Sequence, residues 1–373
     1  MTAPPLARDY RVDFCRGLAL LFIFINHVPN NLASLLTLRT VALCDASEAF
    51  IFMAGYSAAL VFQLRRRKLG FWGSSIDVWR RVWSLYVVHI FVFVLFTAQV
   101  SWTAARLNNE AYIEEMLIAE FLTEPHIAVV EALLLRFQPR FLDILPLYIV
   151  LMLWVPAVLA LPWRLVPALL VASAALYLGV QLEGWHLEAY PDQRPWTFNP
   201  LGWQLLFLLG AIAGRATVDG RNLVPKARWL LIVAALYVGA FAMPVGVSWA
   251  IAGVWDGFPA LLSDALWPLR KADLDPWRLV NILALAFLIA RLVPPQASWF
   301  LSTAARPVRL VGRHGLDLFC LGIFLSVAGH VMMTEVSDGL LMQFVVTVGG
   351  CGLMIGYAAV KEWSERLAKE ARA

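Results

Sequence analysis

The chain has 373 residues, of which 61% are hydrophobic and only 15% are charged, with a formal net charge of +4 at pH 7. Soluble domains carry about 25% charged residues, so this composition excludes an ordinary soluble globular protein and predicts an integral membrane protein. The small positive charge gives no reason to expect a nucleic-acid partner; its distribution along the chain instead indicates membrane topology.

Apolar segments long enough to cross a bilayer, about 17–25 residues each, recur from one end of the chain to the other. We predict an all-α, polytopic integral membrane protein in which the whole chain, 1–373, forms a single transmembrane domain. About ten transmembrane helices are expected, at 12–32, 46–64, 79–100, 144–161, 166–182, 200–214, 229–251, 277–293, 316–333 and 339–360.

The basic residues predict the orientation of these helices. The run RRRK at 65–68, with Arg80 and Arg81, lies between the second and third segments. Cytoplasmic loops carry the excess of Lys and Arg, so this loop is predicted to be cytoplasmic, which also places both termini in the cytoplasm. The first apolar segment is expected to be retained rather than cleaved. The four cysteines form no CxxC pair, and neither a disulfide nor a metal site is expected.

The first predicted helix carries an arginine and a histidine in register. Arg16 and His27 are eleven residues apart, almost three helical turns, so both side chains share one face about 16 Å apart along the axis. Ionisable groups inside a membrane usually face a cavity or a partner. Arg16 can alternatively be an interfacial anchor paired with Asp13, and His27 a buried histidine bonded to a backbone carbonyl. Both alternatives stay open.

The second segment offers carboxylates at the depth of His27. Asp45 and Glu48 stand at its predicted outer end, where Glu48 can hold the His27 imidazole in one tautomer and stabilise its protonated form. Alternatively, both carboxylates cap the start of the helix. Gly55, further along the same face, is expected to allow close approach of the first helix or of a ligand.

Five stretches carry a resemblance to a known family: DYRVDFCRGLALLFIFINHVPNN, DASEAFIFMAGYSAALVF, FQPRFLDILPLYIVLM, FNPLGWQLLFLLGA and GRHGLDLFC. They resemble the membrane acyltransferase-3 superfamily, and within it the OpgC-type proteins, which succinylate osmoregulated periplasmic glucans. The resemblance implies a multi-pass protein of the bacterial inner membrane that moves a succinyl group from cytoplasmic succinyl-CoA to glucan hydroxyls. Its implied partners are the lipid bilayer, acyl-CoA as co-substrate and a periplasmic glucan, with no bound cofactor.

The resemblance also implies roles for individual residues. Arg16 would help to hold the phosphates of the acyl-CoA, and His27 would act at the acyl centre. Further acyl-CoA contacts would come from Arg80, Arg81, Arg313 and His314. In acyltransferase-3 proteins a second histidine often follows the GRxSL-like motif, but this chain has LFC with Cys320 there, and the next histidine is His330. No catalytic role is therefore assigned to His330.

The chemistry of the residues fits this reading independently. A neutral histidine can take the proton of a sugar hydroxyl that attacks a thioester, and His27 is the predicted general base. Either Asn26 or a backbone N–H can stabilise the oxyanion. Polar residues near the predicted outer ends of helices are candidates for glucan binding: Asp45, Asp143, Tyr148, Asn199, Trp203 and Gln204. His89, near the middle of the third segment, either lines the same cavity or is a core histidine.

Two alternatives to succinyl transfer remain at this point. Within the same class, the protein can be an O-acetyltransferase of another cell-envelope polysaccharide. From another class, the buried ionisable residues can form the pathway of a proton-coupled transporter, although the sequence shows neither inverted repeats nor paired broken helices. The sequence makes no prediction of oligomeric state.

Overall fold

The structure, a computed structural model, describes residues 9–250, 266 and 269–371 and is mostly helical. Within this part of the chain the β-structure is one short antiparallel hairpin, in which β1 (Glu188–Ala189) pairs with β2 (Arg194–Pro195), and an isolated bridge between Phe137 and Tyr190. The prediction of an all-α protein is therefore confirmed.

The helices follow the predicted apolar segments. In chain order the α-helices are α1 (Tyr10–His27), α2 (Leu38–Val41), α3 (Ala46–Leu107), α4 (Ala111–Glu115), α5 (Ala119–Thr123), α6 (Pro125–Leu133), α7 (Ile144–Leu153), α8 (Val155–Ala160), α9 (Val166–Glu183), α10 (Pro200–Val218), α11 (Arg228–Leu236), α12 (Met243–Ala250), α13 (Pro276–Leu292), α14 (Arg306–Arg313), α15 (Gly315–Val331) and α16 (Leu340–Glu370). Short 3₁₀ segments lie at Leu32–Leu36, Trp163–Leu165 and Ser298–Leu301, and π-helical turns at Tyr237–Ala242 and Met332–Val336.

Six helices of the described chain are long and apolar enough to cross a membrane: Ala46–Leu107, Trp163–Glu183, Pro200–Val218, Arg228–Ser248, Gly315–Val336 and Leu340–Glu370. The first of these contains two of the predicted segments. The helix α1 carries Arg11, Asp13 and Arg16 in its first two turns. The protein is thus a helical membrane protein, while the count of about ten crossings and the cytoplasmic position of both termini stay predictions.

A single glycine divides the long helix α3 into two. Gly70 has φ 70° and ψ −177°, which interrupts the helical conformation within Ala46–Leu107. A Cβ atom on Gly70 would meet nothing within 4 Å, so the backbone conformation, and not lack of space, favours glycine here. Arg65 and Asp77 form a salt bridge across this break. The second and third predicted segments are therefore two helices that meet at Gly70.

The described chain divides into two compact units, each assembled from segments that are far apart in sequence. The first unit comprises Met1–Phe50, Val224–Pro268 and Trp277–Ala373, and the second comprises Ile51–Leu223 and Leu269–Pro276. The prediction of a single functional domain is not decided by this division.

In the first unit, glycines bring helices into backbone contact with α1. A Cβ atom on Gly17 would lie 1.8 Å from the carbonyl oxygen of Val308, and one on Gly312 would lie 1.9 Å from the carbonyl oxygen of Asp13. Two residues without side chains therefore let α1 and α14 cross at the closest possible distance. This contact fixes which side of α14 faces the Arg16 half of α1.

The other half of α1 packs on α15 and α16 in the same way. A Cβ atom on Gly350 would lie 2.1 Å from the ring of Phe24, and one on Gly329 would lie 3.2 Å from the side chain of Val28. Phe24 and Val28 are almost fully buried. The helix that carries Arg16 and His27 is thus held along its whole length by three later helices.

In the second unit, the first half of α3 packs against α10 through reciprocal glycines. A Cβ atom on Gly55 would lie 2.1 Å from the carbonyl oxygen of Phe207, and one on Gly210 would lie 2.1 Å from that of Phe52. The prediction that Gly55 gives room to the first helix or to a ligand is wrong, because the backbone of α10 fills this space. The spacing of residues in the sequence shows that one face of a helix carries small side chains, but it does not show which other helix will pack there.

Candidate active site

The predicted site residues are distributed over the two units. The first unit contains Arg16, Asn26, His27, Asp45, Glu48, Arg313 and His314, and the second contains Arg80, Arg81, Asp143, Tyr148, Asn199, Trp203 and Gln204. Each group is described within its own unit.

Arg16 and His27 lie on one uninterrupted α-helix. Asp9 caps its start by accepting a hydrogen bond from the backbone N–H of Arg11 at 3.0 Å, and the helix ends at His27, since Val28 has extended backbone angles. Eleven residues of regular helix bring both side chains to one face. The register predicted from the sequence is confirmed.

Arg16 lies beside the junction of α14 and α15. Its Nη1 donates to the carbonyl oxygen of Gly312 at 3.4 Å, and a Cβ atom on Gly315 would lie 3.4 Å from its Cδ. Arg313 and His314 are the two residues between these glycines. The glycine contact between α1 and α14 therefore places three of the predicted donor-binding residues next to each other.

Arg313 and His314 face carboxylates of the last helix. Arg313 Nη1 donates to Glu362 Oε1 at 2.8 Å, and His314 Nδ1 lies 3.7 Å from Glu365 Oε1. Burial lowers the pKa of His314, and the nearby Glu365 only partly opposes this, so the imidazole is neutral at pH 7. Arg313 Nε is buried and has no hydrogen-bond partner among the described residues, which leaves a donor for a ligand.

At the other end of α1, Asn26 is held by a neighbouring loop. Its side-chain amide lies 2.9 Å from Thr37 Oγ1, and this hydroxyl also lies 2.7 Å from the carbonyl oxygen of Ser34. Thr37 is almost fully buried. These contacts fix the position of the Asn26 amide next to His27. His27, the next residue, is partly buried.

Glu48 belongs to a buried ion cluster that the sequence did not reveal, which we call the carboxylate cluster: Asp45, Glu48 and Arg278. Glu48 is 0% exposed. Its Oε1 accepts from Arg278 Nε at 2.6 Å, and Arg278 Nη2 lies 3.5 Å from Asp45 Oδ2. Two carboxylates thus share one guanidinium, and the cluster carries one negative charge in excess when all three groups are ionised.

The same carboxylates also cap the start of α3. Asp45 Oδ1 accepts from the backbone N–H of Ser47 at 2.8 Å, and Glu48 Oε2 accepts from the backbone N–H of Asp45 at 2.9 Å. This reciprocal pair is a capping box. The capping alternative is therefore confirmed for both residues, which does not prevent the Glu48 charge from acting on a neighbouring group.

The helix α13 supplies the groups that fix this end of α3. Arg278 binds the two carboxylates, and one turn later Asn281 accepts from the backbone N–H of Leu43 at 3.2 Å and from Cys44 Sγ at 3.1 Å. One signal in the sequence pointed to Arg278. It is an arginine at the predicted outer end of a membrane segment, where the positive-inside rule disfavours it, so it needs a local partner.

In the second unit, the predicted glucan-binding residues of α10 are tied to the backbone. Asn199 Nδ2 donates to the carbonyl oxygen of Trp185 at 2.7 Å, and Trp203 Nε1 donates to that of Ala272 at 2.9 Å. Both side chains are 0% exposed. Gln204 exchanges hydrogen bonds with Ser173 at 2.6 and 2.9 Å. Asn199 and Trp203 thus contact the segment at 271–273, whereas Gln204 binds α9. Glucan binding through these three residues stays a prediction.

The remaining predicted residues of the second unit have different environments. Burial raises the pKa of Asp143 to about 6, against the opposing charges of Lys271 and Arg140. Tyr148 is partly buried in α7, whereas Arg80 and Arg81 are exposed on α3. His89, also on α3, is 0% exposed, and neither of its ring nitrogens has a hydrogen-bond partner among the described residues.

Comparison with known proteins identifies the family. The family model described as OpgC protein matches residues 8–366, which is nearly the whole of the 373-residue chain and includes both ends of α1, the carboxylate cluster and the α14–α15 junction. No curated protein and no solved structure matches the chain. Because the match covers far more than half of the sequence, the chain belongs to the OpgC protein family.

Proposed function

We propose that this protein is an O-acyltransferase of the bacterial inner membrane that moves a succinyl group from cytoplasmic succinyl-CoA to hydroxyl groups of periplasmic glucans. Membership of the OpgC family supports a glucan-modifying acyltransferase, and the apolar helices support a membrane location. The observation that carries the proposal is the placement of Arg16 and His27 on one face of the continuous helix α1.

The Arg16 end of α1 suits the phosphates of the donor. A guanidinium donates hydrogen bonds in a planar fork that matches phosphate oxygens, and Arg16 lies beside Arg313 and His314. The exposed Arg80 and Arg81 are further candidates for the same phosphates. From this end, a pantetheine arm has to extend about 16 Å, the rise of eleven helical residues, to bring its thioester to His27.

His27 is proposed as the general base. Its neutral imidazole accepts the proton of a glucan hydroxyl while the hydroxyl oxygen attacks the thioester carbonyl. The tetrahedral intermediate then collapses, the carbon–sulfur bond breaks, and the proton passes from the imidazolium to the departing CoA thiolate. Asn26 Nδ2 is proposed to stabilise the oxyanion of the intermediate. The products are a succinyl ester and free CoA.

Glu48 is proposed to act on His27 through charge. The carboxylate cluster carries one excess negative charge, the sequence predicts Glu48 at the depth of His27, and negative charge stabilises an imidazolium. Because Glu48 is bound to Arg278 at 2.6 Å, its charge is partly neutralised, and its contribution to the rate is expected to be smaller than that of His27. Asp45, bound to the same guanidinium, is proposed to face the arriving glucan, as are Asp143 and Tyr148 in the second unit.

The proposal is tested by measuring CoA release from succinyl-CoA by the purified protein in lipid nanodiscs, with and without glucan. His27→Ala is expected to lower the rate by about 10²–10⁴-fold, the range for loss of a general acid–base group, while CoA binding stays close to that of the wild type. The matched control is His126→Ala, which changes an exposed histidine of α6.

Mass spectrometry of the glucan identifies the transferred group. A mass increase of one succinyl group per modified hydroxyl supports the proposal, whereas an acetyl increment would assign a different donor. Succinyl transfer at the wild-type rate by His27→Ala would remove His27 from the mechanism. Uptake of a solute into proteoliposomes without CoA release would favour a transporter.

A further inference from the structure

The guanidinium of Arg309 is buried without an acceptor. Arg309 is 8% exposed, its Nε has no hydrogen-bond partner, and the described residues offer its side chain neither a hydrogen bond nor an ion pair. The centroid of the Tyr10 ring lies 5.2 Å from Arg309 Cζ. A buried cation without an opposite charge is costly, so this arrangement needs an explanation.

Another buried arginine, Arg215, has partners within the protein. Arg215 is 7% exposed, and its Nη1 donates to the carbonyl oxygen of Leu161 at 2.7 Å. Its Nε lies 3.6 Å from a carboxylate oxygen of Asp219. Arg215 thus has a carbonyl acceptor and a nearby carboxylate, although its Nε, like that of Arg309, has no hydrogen-bond partner in the described chain. Among the described residues, Arg309 has neither an acceptor nor a carboxylate.

Two acidic side chains on the elements next to Arg309 are bound to other arginines. Asp9, just before α1, accepts from Arg11 Nη2 at 2.7 Å, and Glu362 on α16 accepts from Arg313 Nη1 at 2.8 Å. The Cζ atom of Arg309 lies over the ring of Tyr10, and a guanidinium donates its hydrogen bonds in its own plane. An incoming anion would therefore meet donors that the protein leaves unused.

The position of Arg309 links it to the proposed donor site. It precedes Arg313 by four residues on α14, so the two side chains lie on one face of that helix. Arg313 Nε is also buried without a hydrogen-bond partner among the described residues. The glycine contact of α14 with α1 fixes both arginines on the half of α1 that carries Arg16. Two unused guanidinium donors on one helix face match the several acceptor oxygens of a phosphate group.

We propose that Arg309 binds a phosphate group of the acyl-CoA donor together with Arg313. The inference rests on the proposed function and adds to it a residue that neither the sequence motifs nor the resemblance included. The bound anion would accept hydrogen bonds from the buried guanidinium and balance its charge. This would explain why Arg309 is buried although its burial is unfavourable in the ligand-free protein. A phospholipid headgroup presents the same phosphodiester chemistry, and the experiment distinguishes the two sources.

The test compares Arg309→Met with the matched control Arg306→Met, an exposed arginine one turn earlier on the same helix. Both are purified in phosphatidylcholine nanodiscs and titrated with CoA and with pantetheine, which lacks phosphate. Losing one charge-assisted hydrogen bond predicts a CoA affinity about 10-fold or more below that of the wild type. The control is expected to keep its CoA affinity, and pantetheine is expected to bind all three proteins equally.

Thermal unfolding without ligand supplies a second readout. Arg309→Met removes an unpaired buried charge, so its midpoint is expected to equal or exceed that of the wild type, and CoA is expected to raise it less. Unchanged CoA affinity in Arg309→Met would overturn the inference. So would a lower midpoint together with equal losses for CoA and pantetheine, because these would show a structural role.

Two further outcomes separate this inference from the proposed function. CoA affinity that is unchanged in Arg309→Met, together with less phosphatidylglycerol bound by this variant than by the wild type, would assign the phosphate to a lipid and overturn the donor assignment. A wild-type protein that binds inorganic pyrophosphate through Arg309 but does not bind CoA would contradict the proposed function while supporting the anion site. Binding of neither probe would overturn both.

Discussion

Removing Arg278 should destabilise the protein strongly, because it leaves Glu48 ionised and without its cation in the interior. Glu48 is 0% exposed and bound by Arg278 Nε at 2.6 Å. Breaking a buried ion pair by removing one partner costs about 3–5 kcal/mol, and this range is expected for Arg278→Gln. Glu48→Gln should cost less, about 1–3 kcal/mol, because Asp45 stays 3.5 Å from the guanidinium.

The double variant tests whether these costs come from the pair. With both side chains changed to Gln, the fully buried charge is removed and only the carboxylate of Asp45, which is 16% exposed, loses its cation. The loss is therefore expected to be smaller than the sum of the single losses, by about 2 kcal/mol. The measurement is the free energy of unfolding in mixed micelles, titrated with denaturing detergent. The control pair is Arg65 and Asp77, since Arg65 has 53% of its side chain exposed, and Arg65→Gln is expected to cost less than about 1 kcal/mol.

Two results would refute this reasoning. A cost for Arg278→Gln as small as that of the exposed control would mean that water or another group satisfies Glu48. Additive losses in the double variant would mean that the two residues act independently in spite of their 2.6 Å contact. CoA release measured on the same variants would then show whether the charge of Glu48 contributes to the rate apart from stability.

Gly312→Ala should lower thermal stability and CoA affinity together, because the added Cβ would lie 1.9 Å from a carbonyl oxygen of α1. Overpacking of this kind typically costs about 1–3 kcal/mol. Wild-type values of both quantities would contradict the close crossing of α1 and α14. Burial raises the pKa of Asp143 to about 6, so ionisation of this carboxyl reduces stability as the pH rises from about 4 to 6. Asp143→Asn should therefore stabilise the protein at pH 7, by up to about 3 kcal/mol, and show no difference below about pH 4; a gain that persists at low pH would point to another cause. His89→Leu should raise thermal stability, since it removes two buried unpaired nitrogens, whereas loss of activity with unchanged stability would indicate that His89 binds a ligand. Single cysteines introduced at Arg67 and Asp192 into a variant without native cysteines should react with impermeant reagents from opposite sides of the membrane, and labelling of both from one side would exclude the predicted topology.

Local sequence patterns were sufficient to predict those structural properties that depend on helix geometry alone. The apolar segments correspond to helices wherever the structure describes them, because a run of apolar residues in a membrane has to satisfy its backbone internally. The alignment of Arg16 with His27 follows from the helical repeat alone. The capping role of Asp45 and Glu48 could also be predicted from the sequence, since a capping box involves residues only three positions apart.

The partners of the ionisable side chains depended on tertiary structure. Arg278 binds Glu48 across 230 positions of sequence, and a local pattern contains no information on which distant cation will meet a carboxylate. The same limit applies to Gly55, whose space is filled by α10. It also applies to Asn199, whose amide donates to the carbonyl oxygen of Trp185 and to the side chain of Asp273. Sequence identifies a polar residue in a membrane segment as significant, but it does not show whether a protein group or a ligand satisfies it.

The sequence by itself determined that this is a helical membrane protein, that its first helix joins a cation to a histidine on one face, and that its motifs resemble those of the OpgC-type proteins. These properties follow from composition, helical repeat and short motifs. Only the tertiary structure decided that Glu48 is bound by Arg278, that Arg313 and His314 lie next to Arg16, and that Arg309 is buried with no acceptor among the described residues. The reason is physical: the energy of a buried charge depends on every group packed around it, and these groups come together only when distant helices cross.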